Sequence, residues 1–381
     1  MTTTSTGYKP GLEGVVAAET RLSSVDGQKG ELIIAGFPLE ELAENATFEE
    51  TCHLLWYGRL PNQSELAAFT HALAAQRPLP PATLQLLETV ATQKLPAMDA
   101  LRIAAGTLDL DQDRAQSTSE NLAKTLTARI PTTVAAYWRL RQNQQPIAPR
   151  TDLGHAANYL YMLSGEAPSE ARIRGLETYL NTVSDHGLNA STFTARVIIA
   201  TQSDLTSAIV GAIGALKGPL HGGAPGPALD MVFEIGEASR AEPFMRAKLE
   251  KGERLMGFGH RIYKVRDPRA DVLSHAADKM FEAAGDKRLY TLAKEVEATA
   301  IKLLDEYKPG RHLRTNVEFF TALLLHGLDL DTDLFTPTFA TGRVAGWIGH
   351  CFEQEKTGRL IRPQSVYIGE RNQKWTPVAQ R

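Results

Sequence analysis

Apolar residues recur at spacings of three and four along most of the chain. Ile173, Leu176 and Leu180 fall on one helical face, as do Val272, Ala276 and Met280, and again Leu289, Leu292, Val296 and Ala300. Side chains three and four apart share a face of a 3.6-residue helix, so each set predicts an amphipathic helix with one buried stripe. Asn62, followed three residues later by Glu65, reads as the start of a helix carrying Leu66, Phe69 and Leu73, because the two side chains can cap each other's free backbone donors. Alternating patterns are scarce. The best lies in Thr20–Gly36, where the turn signal Asp26-Gly27 separates short apolar pieces, and it predicts a small β-ribbon near the N-terminus. The strand–helix alternation of a parallel sheet is missing, so the pattern predicts an all-α fold. Pro78–Pro81 and Pro146–Pro149 read as interhelical loops, and the Gly/Pro cluster Gly218–Pro227 as the strongest hinge.

Composition narrows the function classes. The 381 residues can bury a large core, in two lobes. With a formal net charge of −3, no global field favours nucleic acid or an anionic membrane. The stretch Met1–Thr6 is polar and lacks a signal-peptide pattern, and the most apolar run, Ala208–Leu216, is too short to span a bilayer. Cys52 and Cys351 give neither a disulfide framework nor a metal spacing. They read as buried free thiols in a reducing cytoplasm.

Candidate chemistry concentrates in three short segments of the second half: Gly218–Ala224 around His221, Gly257–Lys264 around His260, and Asn316–Phe320 around Glu318. Two imidazoles and a carboxylate can remove a proton from a carbon acid and polarise two carbonyl oxygens, the needs of a Claisen- or aldol-type condensation. Each residue also has a plainer reading. A lone histidine is more often structural, but Gly222-Gly223 lets backbone approach a ligand beside His221. A helix starting just beyond it would hold the ring neutral. His260 lies among glycines and is followed by Arg261, Lys264, Arg266 and Arg269, which form either a solvated basic face or grips for carboxylate and phosphate groups. Asp267-Pro268 would turn the chain so that Arg269 points back toward His260. Glu318 sits in an apolar run, where burial raises a carboxyl pKa as a carbon-acid base requires; a salt-bridged carboxylate on an amphipathic helix is the plain alternative. His186, in Asp185–Ser191, reads equally well as a histidine in a helix C-terminus before a glycine. Arg343 and Arg362 carry no signal by themselves.

These segments, taken with Ser23–Gly30, Leu39–Ala43, Phe48–Glu50, Arg343–Trp347, Glu353-Gln354 and Arg362–Gly369, resemble the citrate synthase family over almost the whole chain. The length is similar to that of its compact dimeric members. The resemblance implies two all-α lobes, one of residues 1–222 and 329–381 and a smaller one of residues 223–328 that closes on oxaloacetate. It implies condensation of acetyl-CoA with oxaloacetate to citrate and CoA, as in the tricarboxylic acid cycle, by a cytoplasmic homodimer with no metal and no permanently bound cofactor. By that resemblance His221 stabilises the enol, Glu318 removes the methyl proton and His260 polarises the ketone. His186, Arg269 and Arg343 grip the carboxylates, joined by Arg362 from the other subunit. The loop from Leu255 through Gly257 and Gly259 to Lys264 would hold acyl-CoA. Two positions depart from the family pattern: Glu318 stands where Asp is usual, and Ala35 where Arg is expected. A 2-methylcitrate synthase using propionyl-CoA is the neighbouring reading, and a catalytically weak binding protein the reading from another class.

Overall fold

The computed structural model describes residues 7–113, 118–222, 226–260 and 262–381. Met1–Thr6, Gly223, Ala224 and Arg261, all singled out above, lie outside the described residues. Among those described, sixteen α-helices, three short 3-10 helices and one three-stranded antiparallel sheet make up the regular structure, the all-α architecture with a β-ribbon that the pattern predicts. No described helix is long and apolar enough to cross a membrane. The three periodic sets above lie in helices Glu170–Val183, Pro268–Ala283 and Arg288–Tyr307. Asn62 and Glu65 form the reciprocal cap of helix Gln63–Ala75.

The long helix Phe335–Thr357 is the centre of the fold. Ala340, Val344, Ala345, Trp347, Ile348 and Cys351 are completely buried, and helices Phe48–Tyr57, Ser119–Arg141, Glu170–Val183, Ala190–Ile199 and Leu205–Leu216 pack round it. Buried residues on most of its surface place it inside, and small residues set how near its neighbours come. A Cβ on Gly346 would lie 2.2 Å from the Ser184 carbonyl oxygen, and one on Gly342 would lie 2.9 Å from that of Leu180. The central helix therefore meets the end of Glu170–Val183 backbone to backbone. Cys52 and Cys351 are both buried and unpaired.

Local chemistry refines several boundaries. Strand β1 (Ser23–Asp26) pairs with β2 (Glu31–Ile34), and β2 with a short β3 (Phe37–Pro38) that alternation did not predict. The β1–β2 turn spans four residues rather than two. Its donors at Gln28 and Lys29 bond the Asp26 carboxylate, and that of Gly30 bonds the Asp26 carbonyl. Ala35 and Gly36 close the β2–β3 turn, both with positive φ (45° and 93°), a conformation costly for alanine. Pro81 belongs to helix Pro81–Thr92, not to the preceding loop, since the first helical position needs no N–H. The Gly218–Pro227 cluster separates helices Leu205–Leu216 and Gly226–Ile235, with Gly226 and Pro227 inside the second.

Candidate active site

A cleft of about 450 Å³ opens where the end of Glu170–Val183, the turn after Leu205–Leu216, the His260 loop, the start of Val317–Gly327 and the central helix converge. His186, His221, Gly259, His260, Arg269, Glu318 and Arg343 all line it.

His221 lies in the turn after the Leu205–Leu216 helix, and its ring is oriented by the opposite wall. Its Nε2 accepts the Ser191 N–H at 3.3 Å and lies 2.7 Å from Ser191 Oγ, which accepts in turn from Trp347 Nε1 at 3.0 Å. With Nε2 an acceptor, the ring proton sits on Nδ1. Burial, then the charge on Arg343, pushes the His221 pKa down to about 4. The helix N-terminus that touches the ring is that of Ala190–Ile199, whose second residue is Ser191. It is not the helix after His221, which begins at Gly226.

His260 shows the reverse polarity. Its Nδ1 accepts the N–H groups of Ile262 (3.1 Å) and Tyr263 (3.2 Å), which leaves the proton on Nε2. Arg269 Nη2 lies 3.2 Å from that nitrogen. Two donors facing each other make no hydrogen bond; they converge on a position suited to an acceptor oxygen. Burial, then Arg269, depresses His260 to about 4. Asp267 caps helix Pro268–Ala283 and holds the guanidinium at 3.0 and 2.8 Å. Burial opposes the charge on Arg269, and Asp267 more than offsets it.

Glu318 occupies the first turn of Val317–Gly327, and that turn is tied to the His260 segment. Asn316 caps the helix, its Nδ2 donating to the Gly259 carbonyl at 2.9 Å and its backbone N–H to Gly257 at 2.9 Å. Gly257, with φ of 85°, lies against the Phe319 ring, where a Cβ would approach to 2.9 Å. The Glu318 side chain makes no hydrogen bond to the described residues. Burial raises its pKa to about 7, with Asp267 raising and Arg269 lowering it.

His186 and Arg343 rise from the backbone seam. His186 lies three residues past the end of its helix, not in its last turn, followed by Gly187 with φ of 61°. It is buried, its Nε2 is 3.1 Å from the Tyr263 hydroxyl, and burial pushes its pKa well down. Arg343 donates through Nε to the Val183 carbonyl and lies 4.7 Å above the Phe339 ring. Burial lowers its pKa to about 10, Asp185 opposing and Arg269 adding to the effect. Beneath both, Asp185 is completely buried and accepts from His350 Nε2 at 3.1 Å and from Ser23.

Other residues singled out in the sequence lie apart from the cleft. Leu255 is buried in the core, Gly257 sits under Phe319, and Lys264 is exposed. Arg362 is exposed on the extended segment 359–377. Sequence reasoning missed Ser191, Tyr263 and Phe339 as neighbours of the reacting groups, and saw Asp267 only as a turn. Ser191 had a local signal in the capping residue Asn189; Tyr263 and Phe339 had none.

The chain matches the family "Citrate synthase, C-terminal domain" over residues 11–364. It is 42% identical over 375 residues to citrate synthase 2 of Bacillus subtilis, covering 97% of this chain and 98% of that one. Its relatives include the 2-methylcitrate synthase of Shewanella oneidensis, 38% identical over 97% of each chain. Among solved structures, the citrate synthase of Pyrobaculum aerophilum superposes with a TM-score of 0.88 at 37% identity, over 98% of this chain and 95% of that one. A Thermoplasma acidophilum citrate synthase, solved as a ternary complex with carboxymethyl coenzyme A and oxaloacetate, gives 0.85 at 30% identity, over 97% and 98%. The fold and the full-length matches define an acyltransferase that converts an acyl group to alkyl on transfer. The chain belongs to the citrate synthase family.

Proposed function

We propose that the cleft condenses acetyl-CoA with oxaloacetate, giving citrate and CoA. Glu318 takes a proton from the acetyl methyl group while His221 Nδ1–H donates to the thioester oxygen, yielding a neutral enol. The enol carbon attacks the oxaloacetate ketone, whose oxygen takes the His260 Nε2 proton, and water then cleaves the thioester to release the thiol. Arg269, Arg343 and His186 hold the substrate carboxylates. The observation that carries this reading is the pair of neutral imidazoles with opposite tautomers, each fixed by backbone N–H groups, around one buried carboxylate of raised pKa. Neutral donors suit an oxygen that gains charge during the reaction, because they need no desolvated cation.

The complex of the Thermoplasma relative supports acyl-CoA as cosubstrate, reaching the cleft past Gly259 and the 255–264 loop, with Lys264 near its phosphates. Residues 223–328 form the closing lobe. The exposed arm bearing Leu360, Val366, Tyr367, Ile368 and Trp375 supports a homodimer, because so much apolar surface on an extended segment calls for a partner. Arg362 on that arm would enter the second subunit's cleft. The setting is the cytoplasm. Thiol release from acetyl-CoA and propionyl-CoA, each with and without oxaloacetate, tests the assignment. Oxaloacetate-dependent release favouring acetyl-CoA is expected. A preference for propionyl-CoA moves the assignment to 2-methylcitrate, since one methylene is worth only about 1–3 kcal/mol. No release from either refutes the catalytic reading.

A further inference from the structure

The β1–β2 hairpin touches two of the segments that build the cleft. At its base, Ser23 Oγ accepts the Gly187 N–H at 2.7 Å and donates to the Asp185 carboxylate, on either side of His186. At its tip, the Gly27 carbonyl accepts the Lys264 N–H at 2.8 Å. A Cβ on Gly27 would lie 2.3 Å from the Ile262 carbonyl oxygen. Gly30, with φ of 70°, faces Val265 Cγ2 at 2.8 Å and the Arg266 carbonyl oxygen at 3.0 Å by the same construction. The loop so seated contains the Ile262 and Tyr263 amides that hold His260 Nδ1. It also contains the Tyr263 hydroxyl that meets His186.

We infer that Gly27, supported by Gly30 and Ser23, is a positioning residue for the reaction: the hairpin tip seats the 262–266 loop so that His260 presents its Nε2 proton to the substrate ketone. The inference rests on the functional reading above, and it adds a part that acts through another residue. Gly27 has no positive φ, so an alanine there carries no backbone strain and its whole effect falls on the contact. A carbon cannot stay 2.3 Å from a carbonyl oxygen. Hairpin and loop must separate by about 1 Å, and displacement of that size at reacting groups costs about 10²-fold in rate.

The test is Gly27→Ala in the full-length protein. We expect kcat/KM for oxaloacetate to fall about 10²-fold, with its KM raised and the KM for acyl-CoA raised less, since Lys264 moves with the same loop. We also expect the Lys264 amide to exchange hydrogen at least about tenfold faster, while amides of the central helix keep their protection. Lys29→Ala, an exposed neighbour on the same turn, should leave these constants alone. Kinetic constants within about twofold of the parent, with Lys264 still protected, would overturn the inference. If the alanine variant does not fold, exchange in the unmodified protein decides. Oxaloacetate should slow the Lys264 amide, and an unchanged rate refutes the coupling. An unmodified protein that releases no thiol in the presence of oxaloacetate would sink the functional reading instead; the exchange comparison is read without acyl-CoA.

Discussion

Replacing Glu318 by Gln should abolish condensation and stabilise the protein, and the second effect depends on pH in a defined direction. Burial raises the Glu318 pKa from 4.5 to about 7, so between those values the folded protein holds the proton that the unfolded chain releases. Its contribution to stability is intact below about pH 4.5, falls as pH rises through that window, and stays at its full penalty above about pH 7. At about 1.4 kcal/mol per pH unit, the penalty is about 3 kcal/mol. Glutamine keeps the shape without the charge. With an unfolding entropy of about 2.1 cal/mol/K per residue, a chain of this length converts that into a rise in Tm of about 4 °C. Thermal melting of both proteins at about pH 5 and pH 8 measures it. The gap should be about 1 °C at the lower pH, already inside the window, and about 4 °C at the higher. A gap that does not vary with pH would refute the reasoning, and full condensation activity in the glutamine variant would move the base elsewhere.

Three further outcomes follow from the same contacts. The acid limb of kcat/KM should fall near pH 7, set by Glu318, with no second limb above about pH 5, because His221 and His260 are both depressed to about 4; a pH–rate profile of kcat/KM checks it. Ser191→Ala removes the hydroxyl beside His221 Nε2 and leaves the buried Trp347 N–H without its acceptor. It should cost about 1–3 kcal/mol of stability and lower kcat more than it raises either KM, as steady-state kinetics and melting would reveal. Ala35→Gly relieves a left-handed alanine in the β2–β3 turn and should raise stability by about 0.5–1 kcal/mol without changing kcat, read by melting and by thiol release.

Helical periodicity made the fold class legible, because apolar spacing alone dictates which face of each helix is buried. Glycine context marked His221 and His260 as candidates, while Glu318 read more plainly as a salt-bridged helix carboxylate until the family resemblance singled it out; the structure brings all three to one cleft. What stayed hidden depends on long-range placement. The tautomer of His221 is set by Ser191, thirty residues away, and that of His260 by its own loop's amides. Neither spacing nor composition encodes which nitrogen receives a donor. The short β3 strand was equally silent, since two residues carry no alternation.

The glycine seam between the central helix and the end of Glu170–Val183 has a mechanical consequence. Contact made through backbone has no rotamers to yield, and close-packed interiors transmit strain instead of absorbing it. His186 and Arg343, rooted on either side of that seam, form a jaw of fixed gauge, while His260 and Glu318 are tied together by the Asn316 bonds to Gly257 and Gly259, and Arg269 joins them through Asp267, which accepts the Val317 N–H. On the function proposed above, adaptation to a ligand would come from the second set moving as a unit. A dicarboxylate of different length would be refused by the anvil before the hammer falls.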